Sequence, residues 1–225
     1  MSNKNELVPI EQQYPVLGPD GAGFLEVMQE NLGGEGLSPS DLEVIKVPSG
    51  SSPVFMVQTL AGEEPVKELV GIIVHTDIGR AYWSQPMGEG ETQQPDCQSS
   101  DGIEGEGTPG GPCADCEFSQ FGSDPDGRGQ ACKQVRRLFL LREDCSLPSL
   151  LRVPPTSLKA ARKYLVSLGS RGVSHLGVVT RITLEKTKNP AGTEYCRLVF
   201  NPGGQLTADQ AAAVRGYAAA LQVGL

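Results

Sequence analysis

Between Gln85 and Gln130 the chain offers almost nothing to bury. The stretch is mainly Gly, Pro, Asp, Glu, Ser and Gln, and such a composition cannot offset the entropy of ordering through apolar contacts. It is either disordered or organised by something other than a hydrophobic core. Four cysteines in and beside it, Cys97, Cys113, Cys116 and Cys132, supply such a device, spaced C-x15-C-x2-C-x15-C. A tight central pair with one further cysteine at equal distance on each side suits a tetrahedral cage of four sulfurs. Metal binding supplies roughly 10–16 kcal/mol in structural sites of this kind, enough to order the segment. The expected cofactor is a structural Zn2+ held by all four.

Two other uses of the same thiols stay open: a pair of disulfides or a redox dithiol, and unliganded cysteines. The N-terminus MSNKNELVPI shows no basic region followed by an apolar one, so a signal peptide is not expected. The expected compartment is the cytoplasm, where thiols stay reduced. Pro112-Cys113-Ala114-Asp115-Cys116 reads as a loop, whereas a redox C-x-x-C usually opens a helix. Cys145 and Cys196 have no partner spacing and read as small core residues. His75 and His175 fall in or beside strand-like runs and are left out of the cage.

Net charge is -8, but the charge is segregated. Residues 1–127 hold 4 basic and 22 acidic residues, and residues 128–197 hold 14 basic and 4 acidic ones. The second half therefore carries a positive field that the total conceals. Either it meets a polyanion or the acidic half covers it within the molecule. No run of 18 apolar residues occurs, so no membrane partner is expected.

The periodicities divide the chain into an N-terminal arm with short helices (1–52), a β core (53–84 and 133–204), the cysteine insertion (85–132) and a C-terminal helix (205–225). Residues 1–20 read as irregular, with short helices at Gly23–Asn31 and from Ser38 through Leu42, and a loop at 48–51. Strands are expected at Val54–Leu60, Val66–Val74 and Arg80–Trp83, with turns at 61–65 and 76–79. A further strand covers Val135–Arg142, and Leu147–Pro155 reads as a connector. Leu158, Ala161, Leu165 and Leu168 recur at helical spacing and place a helix over 157–168. Val178–Lys186 and Thr193–Phe200 form a hairpin about Asn189–Gly192, and Thr207-Ala208-Asp209-Gln210 is a capping box. Short strands with one helix before the last hairpin predict an α+β, mainly β fold: an OB-like, partly open β-barrel with a zinc loop inserted and a C-terminal helix. A generic α+β sheet is the alternative.

Binding a single strand needs cations for phosphates and aromatic faces for bases. The cations in suitable places are Arg80, Arg136, Arg137, Lys159, Arg162, Lys163, Arg181, Lys186 and Arg197. The aromatics beside them are Tyr82, Trp83, Phe139 and Tyr195, each of which also fits a core position. Catalytic signatures are missing: no phosphate loop, no nucleophile elbow, no His-x-Glu before the C-x-x-C. Four thiolates leave a zinc no open position for chemistry. The chain is expected not to be an enzyme.

The strings Pro95-Asp96-Cys97, Asp101-Gly102, Gly111-x-Cys113-x2-Cys116, Phe121-Gly122-Ser123 and Gly127 to Lys133, with Arg80-Ala81-Tyr82-Trp83 before them and Pro154-Pro155-Thr156-Ser157-Leu158-Lys159 after, resemble phage- and mobile-element-encoded cysteine-rich proteins. These are similar in layout to zinc-containing single-stranded-DNA-binding proteins with an OB barrel. The resemblance implies a single-stranded nucleic-acid partner, DNA first, with replication or recombination proteins and a second copy of the chain as further partners. The rival function is a zinc-ribbon module that engages host transcription or replication machinery through its acidic half. A virion component is a third reading.

Overall fold

A computed structural model describes residues 14–18, 22–33, 35, 41–48, 52–59, 62–85, 95–143, 145–188, 192 and 194–224. The expected helix start at 38–40, most of the loop at 48–51 and the hairpin turn at 189–191 lie outside them. The chain is α+β and mostly strand, and its described strands close no barrel. It divides into two compact units, Met1–His75 with Leu138–Leu151 and Lys159–Leu225, and Thr76–Arg137 with Arg152–Leu158.

The first unit is built on an open sheet. Strand β1 (Val44–Ile45) pairs in parallel with β9 (Ser149–Val153), with Val44 opposite Leu150. Beyond β9 come β8 (Lys133–Arg142), β4 (Glu68–Tyr82), β10 (Val178–Lys188) and β11 (Glu194–Gln205). β10 is antiparallel to both neighbours, with Val179 opposite Ile72 and Ile182 opposite both Leu69 and Phe200. A separate hairpin pairs β2 (Phe55–Thr59) with β3 (Gly62–Val66), where a turn was expected.

Pleat alternation divides the sheet's side chains between two helices. On one face Ile72, Val74, Phe139, Leu141 and Leu150 pack with Val214, Ala218 and Leu221 of helix α3 (Ala208–Gly224) and with Tyr14, Val16 and Leu17 of the N-terminal arm. That arm, expected to be irregular, holds a 3-10 turn at Pro15–Leu17. Helix α1 (Ala22–Asn31) follows it, with Phe24 against the same cluster. The opposite face takes helix α2 (Leu158–Gly169), whose Ala161, Tyr164 and Leu168 are buried. There the Tyr164 hydroxyl bonds Thr180 Oγ1 at 2.8 Å, and its ring stacks on Phe200 at 5.8 Å. A sheet covered on both faces is a layered arrangement, unlike the one-sided curl of the expected barrel.

Local chemistry explains the element ends. Thr207 N donates to Gln210 Oε1 at 2.9 Å and Gln210 N to Thr207 Oγ1 at 3.3 Å, the reciprocal capping box that opens α3. Pro155 begins a 3-10 turn that runs into α2. Glu43 ties four segments together: its carboxylate accepts from Gln58 N, Ser149 Oγ and Arg142 Nη2 at 2.7, 2.7 and 2.9 Å. Among the described residues no helix is long and apolar enough to cross a membrane.

Candidate metal centre and basic surface

In the second unit, the C-terminal part of β4 pairs with β5 (Cys97–Ser99), β5 with β6 (Glu104–Gly107), and β6 with β7 (Gly111–Pro112). Tyr82 stands opposite Cys97 and Arg80 opposite Ser99. Asp101 holds the turn from β5 to β6, accepting from Ile103 N at 2.7 Å, Ser99 Oγ at 2.9 Å and Glu104 N at 3.2 Å. The two backbone donors and then the serine hold its carboxyl below the ordinary carboxylate range.

Cys113 and Cys116 flank a turn between β7 and a 3-10 turn at Glu117–Ser119. Gly110 and Gly111 enter it with φ of 71° and 76°, a conformation other residues adopt at a cost. Ser119 clasps the knuckle, its hydroxyl 2.6 Å from Cys113 O and 2.8 Å from Cys116 O. Gln120 Nε2 donates to Ala114 O at 2.9 Å. Cys132 is brought alongside by its own N–H, which donates to Phe118 O at 2.8 Å, and by Gln130 Nε2 on Ser119 O. Polar contacts thus do the local work that apolar side chains do elsewhere.

All four cysteines line one cavity of ≈ 10 Å³, about the room one water-sized particle needs. Cys97, Cys113 and Cys132 are buried, Cys116 is half-buried, and none is in a disulfide. The thiols sit in the wall without converging: among the described residues no three His, Cys, Asp or Glu side chains form a group tight enough to hold a metal ion. By its chemistry the donor set nonetheless suits a thiophilic ion, because all four side chains offer sulfur. Gly105 is the close neighbour. A methyl there would lie 3.0 Å from Cys97 Sγ, tighter than an ordinary contact.

Electrostatics couple the thiols. Burial pushes the Cys132 thiol up, the Arg80 guanidinium pulls it down, and Cys113 and Cys116 push it up again. Arg80 lines the cavity, and its Nη1 is buried without a hydrogen-bond partner. Tyr82 lines it too and stacks on Phe118, with centroids 4.2 Å apart and planes at 11°. His75 meets Phe139 edge-on at 5.1 Å, and His175 Nδ1 lies 2.7 Å from Ile73 O, so both histidines serve the first unit's packing.

The residues expected to meet nucleic acid separate into three groups. Phe139 is a correction, 3% exposed in the core with no face left for a base, while Arg80 and Tyr82 are half-buried and line the cysteine cavity. Arg136, Arg137, Arg181 and Arg197 already have partners. Arg136 bonds Thr76 Oγ1 at 3.0 Å, and Arg137 makes two bonds to Asp77 at 2.7 Å each. Arg181 pairs with Glu68 and Arg197 with Glu185, each at 2.7 Å. Asp77 and Glu68 come from the acidic half, so part of the segregated charge is neutralised within the molecule. The third group is Lys159, Arg162 and Lys163, exposed together on α2, with Lys186 exposed on β10. No ion pair engages any of these four among the described residues. Trp83 and Tyr195 are half-buried.

Two features escape sequence reading. Arg80 joins the cysteines through strand pairing that no local pattern announces. Phe121 and Ile103, in the cysteine unit, are 80% and 70% exposed, the reverse of what their chemistry predicts. The chain matches no family model, no curated protein and no solved structure.

Proposed function

We propose that the protein is a non-catalytic, sequence-tolerant single-stranded nucleic-acid-binding protein of replication or recombination, with DNA the first candidate strand. A structural Zn2+ on Cys97, Cys113, Cys116 and Cys132 organises its cysteine unit. The observation that carries the reading is the cationic face of α2. Lys159, Arg162 and Lys163 share an arc of the helix within 145–184, a stretch with six Lys or Arg and no Asp or Glu. Cations that form no ion pair among the described residues, held on a rigid element, are suited to phosphates. Lys186 extends the set, and Tyr195 keeps partial exposure for stacking, as Trp83 does by itself in the other unit. Arg181 and Arg197 contribute only by exchanging a carboxylate for a phosphate. The reading needs no closed OB barrel, since a sheet with a cationic helix on one face presents the same chemistry.

The test is a titration of a labelled single strand with the wild type and with Lys159→Ala/Arg162→Ala/Lys163→Ala. Each phosphate contact contributes about 0.7 to the salt slope of single-strand binding. The triple variant is therefore expected to bind more weakly and to lose about 2 from the slope's magnitude. Unchanged affinity and slope contradict the assignment.

A second reading rests on Ile103 and Phe121. Exposed apolar side chains on a zinc-organised loop suit a protein partner, as in a zinc-ribbon interaction module. Phe121→Ser/Ile103→Ser separates the two readings: it abolishes capture of host protein under the second and spares oligonucleotide binding under the first.

A further inference from the structure

Arg80, half-buried, presents a donor that its surroundings do not satisfy. Its Nη1 is buried and makes no hydrogen bond. The cavity that it lines with the four cysteines contains no Asp or Glu among its lining residues. The neighbouring hydroxyls are already committed: Ser99 Oγ donates to Asp101, and Ser119 Oγ lies between the carbonyls of Cys113 and Cys116. A buried donor left without an acceptor is costly, and a neutral thiol is only a weak acceptor. Four thiolates around a divalent ion are far better acceptors, because that assembly carries two negative charges.

We propose that Arg80 is the counter-ion of a tetrathiolate metal centre, its enclosed and unpartnered Nη1 donating to a cysteine sulfur. This deepens the zinc reading and rests on it. Arg80 is then a positioning residue and not a ligand. Its strand fixes it there: Arg80 and Tyr82 alternate onto one face of β4, opposite Ser99 and Cys97, whose side chains alternate onto one face of β5. A guanidinium also suits the place better than an ammonium. It is always charged, weakly hydrated and offers its donors in a fixed fork.

The experiment measures Zn2+ affinity of the full chain by competition with a chromophoric chelator, for wild type, Arg80→Met, Arg80→Gln and Arg80→Lys. Far-UV circular dichroism of each loaded protein verifies folding. The wild type is expected to hold one Zn2+. Met and Gln are expected to weaken it about 10–100-fold, the usual effect of removing an outer-sphere partner, and Lys to fall between. Gln keeps a neutral donor and answers the question if the Met variant does not fold. Co2+ in place of zinc is expected to show the same tetrahedral four-thiolate absorption in every variant, because no ligand is lost. Wild-type affinity in the Met and Gln variants, or a Lys variant as weak as Met, overturns the counter-ion role while leaving the metal centre standing. A wild type that takes up no stoichiometric Zn2+ overturns the metal reading itself, and the role with it.

Discussion

Stripping the chain with a strong chelator is expected to abolish amide protection across residues 97–132 while leaving the first unit's sheet protected. The reason lies in what that segment buries. Between Pro95 and Cys132 the buried side chains are Cys97, Cys113 and Cys132 with Ser99 and Ser119, and no large aliphatic or aromatic residue joins them. Phe118 is only half-buried, and Ile103 and Phe121 face outward. Hydrogen bonds such as Ser119 to the two cysteine carbonyls contribute about 1 kcal/mol each in net terms. On the proposed zinc reading, the segment's ordering comes from the roughly 10–16 kcal/mol that a structural zinc supplies. The first unit has its own core in Ile72, Val74, Leu141, Leu150 and Val214. Hydrogen exchange read by mass spectrometry, with and without chelator, checks this. Unchanged protection in 97–132 removes the metal from the account. Loss of protection everywhere means that the cage supports the whole chain.

The second large effect belongs to that first unit. Leu141→Ala is expected to cost about 2–5 kcal/mol, the range for emptying a fully buried aliphatic site. Leu141 has no solvent exposure, and its cluster draws on β4, β9, α3 and the N-terminal arm, so no single neighbour can collapse into the cavity. Against a typical total of 5–15 kcal/mol this is a large fraction of the stability. Urea denaturation followed by far-UV circular dichroism should show a lower midpoint at unchanged m-value. Val166→Ala on the exposed side of α2, where the side chain is 60% exposed, is the control and is expected to stay within about 0.5 kcal/mol.

The helices and the last hairpin were legible because their signals are local. Thr207 and Gln210 cap α3 through a three-residue relationship, and the apolar recurrence of α2 needs only one turn of context. Even there, Tyr164 takes a deeper place than Leu165, because the phenol finds Thr180 and Phe200 on the sheet. The misreadings arise where a distant strand decides. Thr76-Asp77-Ile78-Gly79 has the composition of a turn, yet β4 runs straight through it. Arg136 and Arg137 bond Thr76 and Asp77, so the polar residues are satisfied by side chains from β8 rather than by a turn. Ser149–Val153 looked like a connector between prolines, but parallel pairing with Val44 and Ile45 makes it a strand. Val16 and Leu17 carry too short a pattern to announce burial. At the site, spacing alone singled out four cysteines that line one cavity, since a knuckle between two equidistant partners is a local statement. The partners of the arginines were not legible. Which arginine meets Asp77, Glu68 or Glu185, and that Arg80 turns toward sulfur, depends on strand register, which hydrophobic pattern and turn geometry specify only across the whole sheet.

The most direct test of the central claim follows Trp83 fluorescence in the full chain during titration with an oligonucleotide, repeated across a salt series and with the matching duplex. The account predicts tighter binding to the single strand, an affinity that falls linearly with salt on logarithmic axes, and a slope of at least about −2 for the three α2 cations at about 0.7 each. An affinity indifferent to salt, or a preference for the duplex, contradicts it.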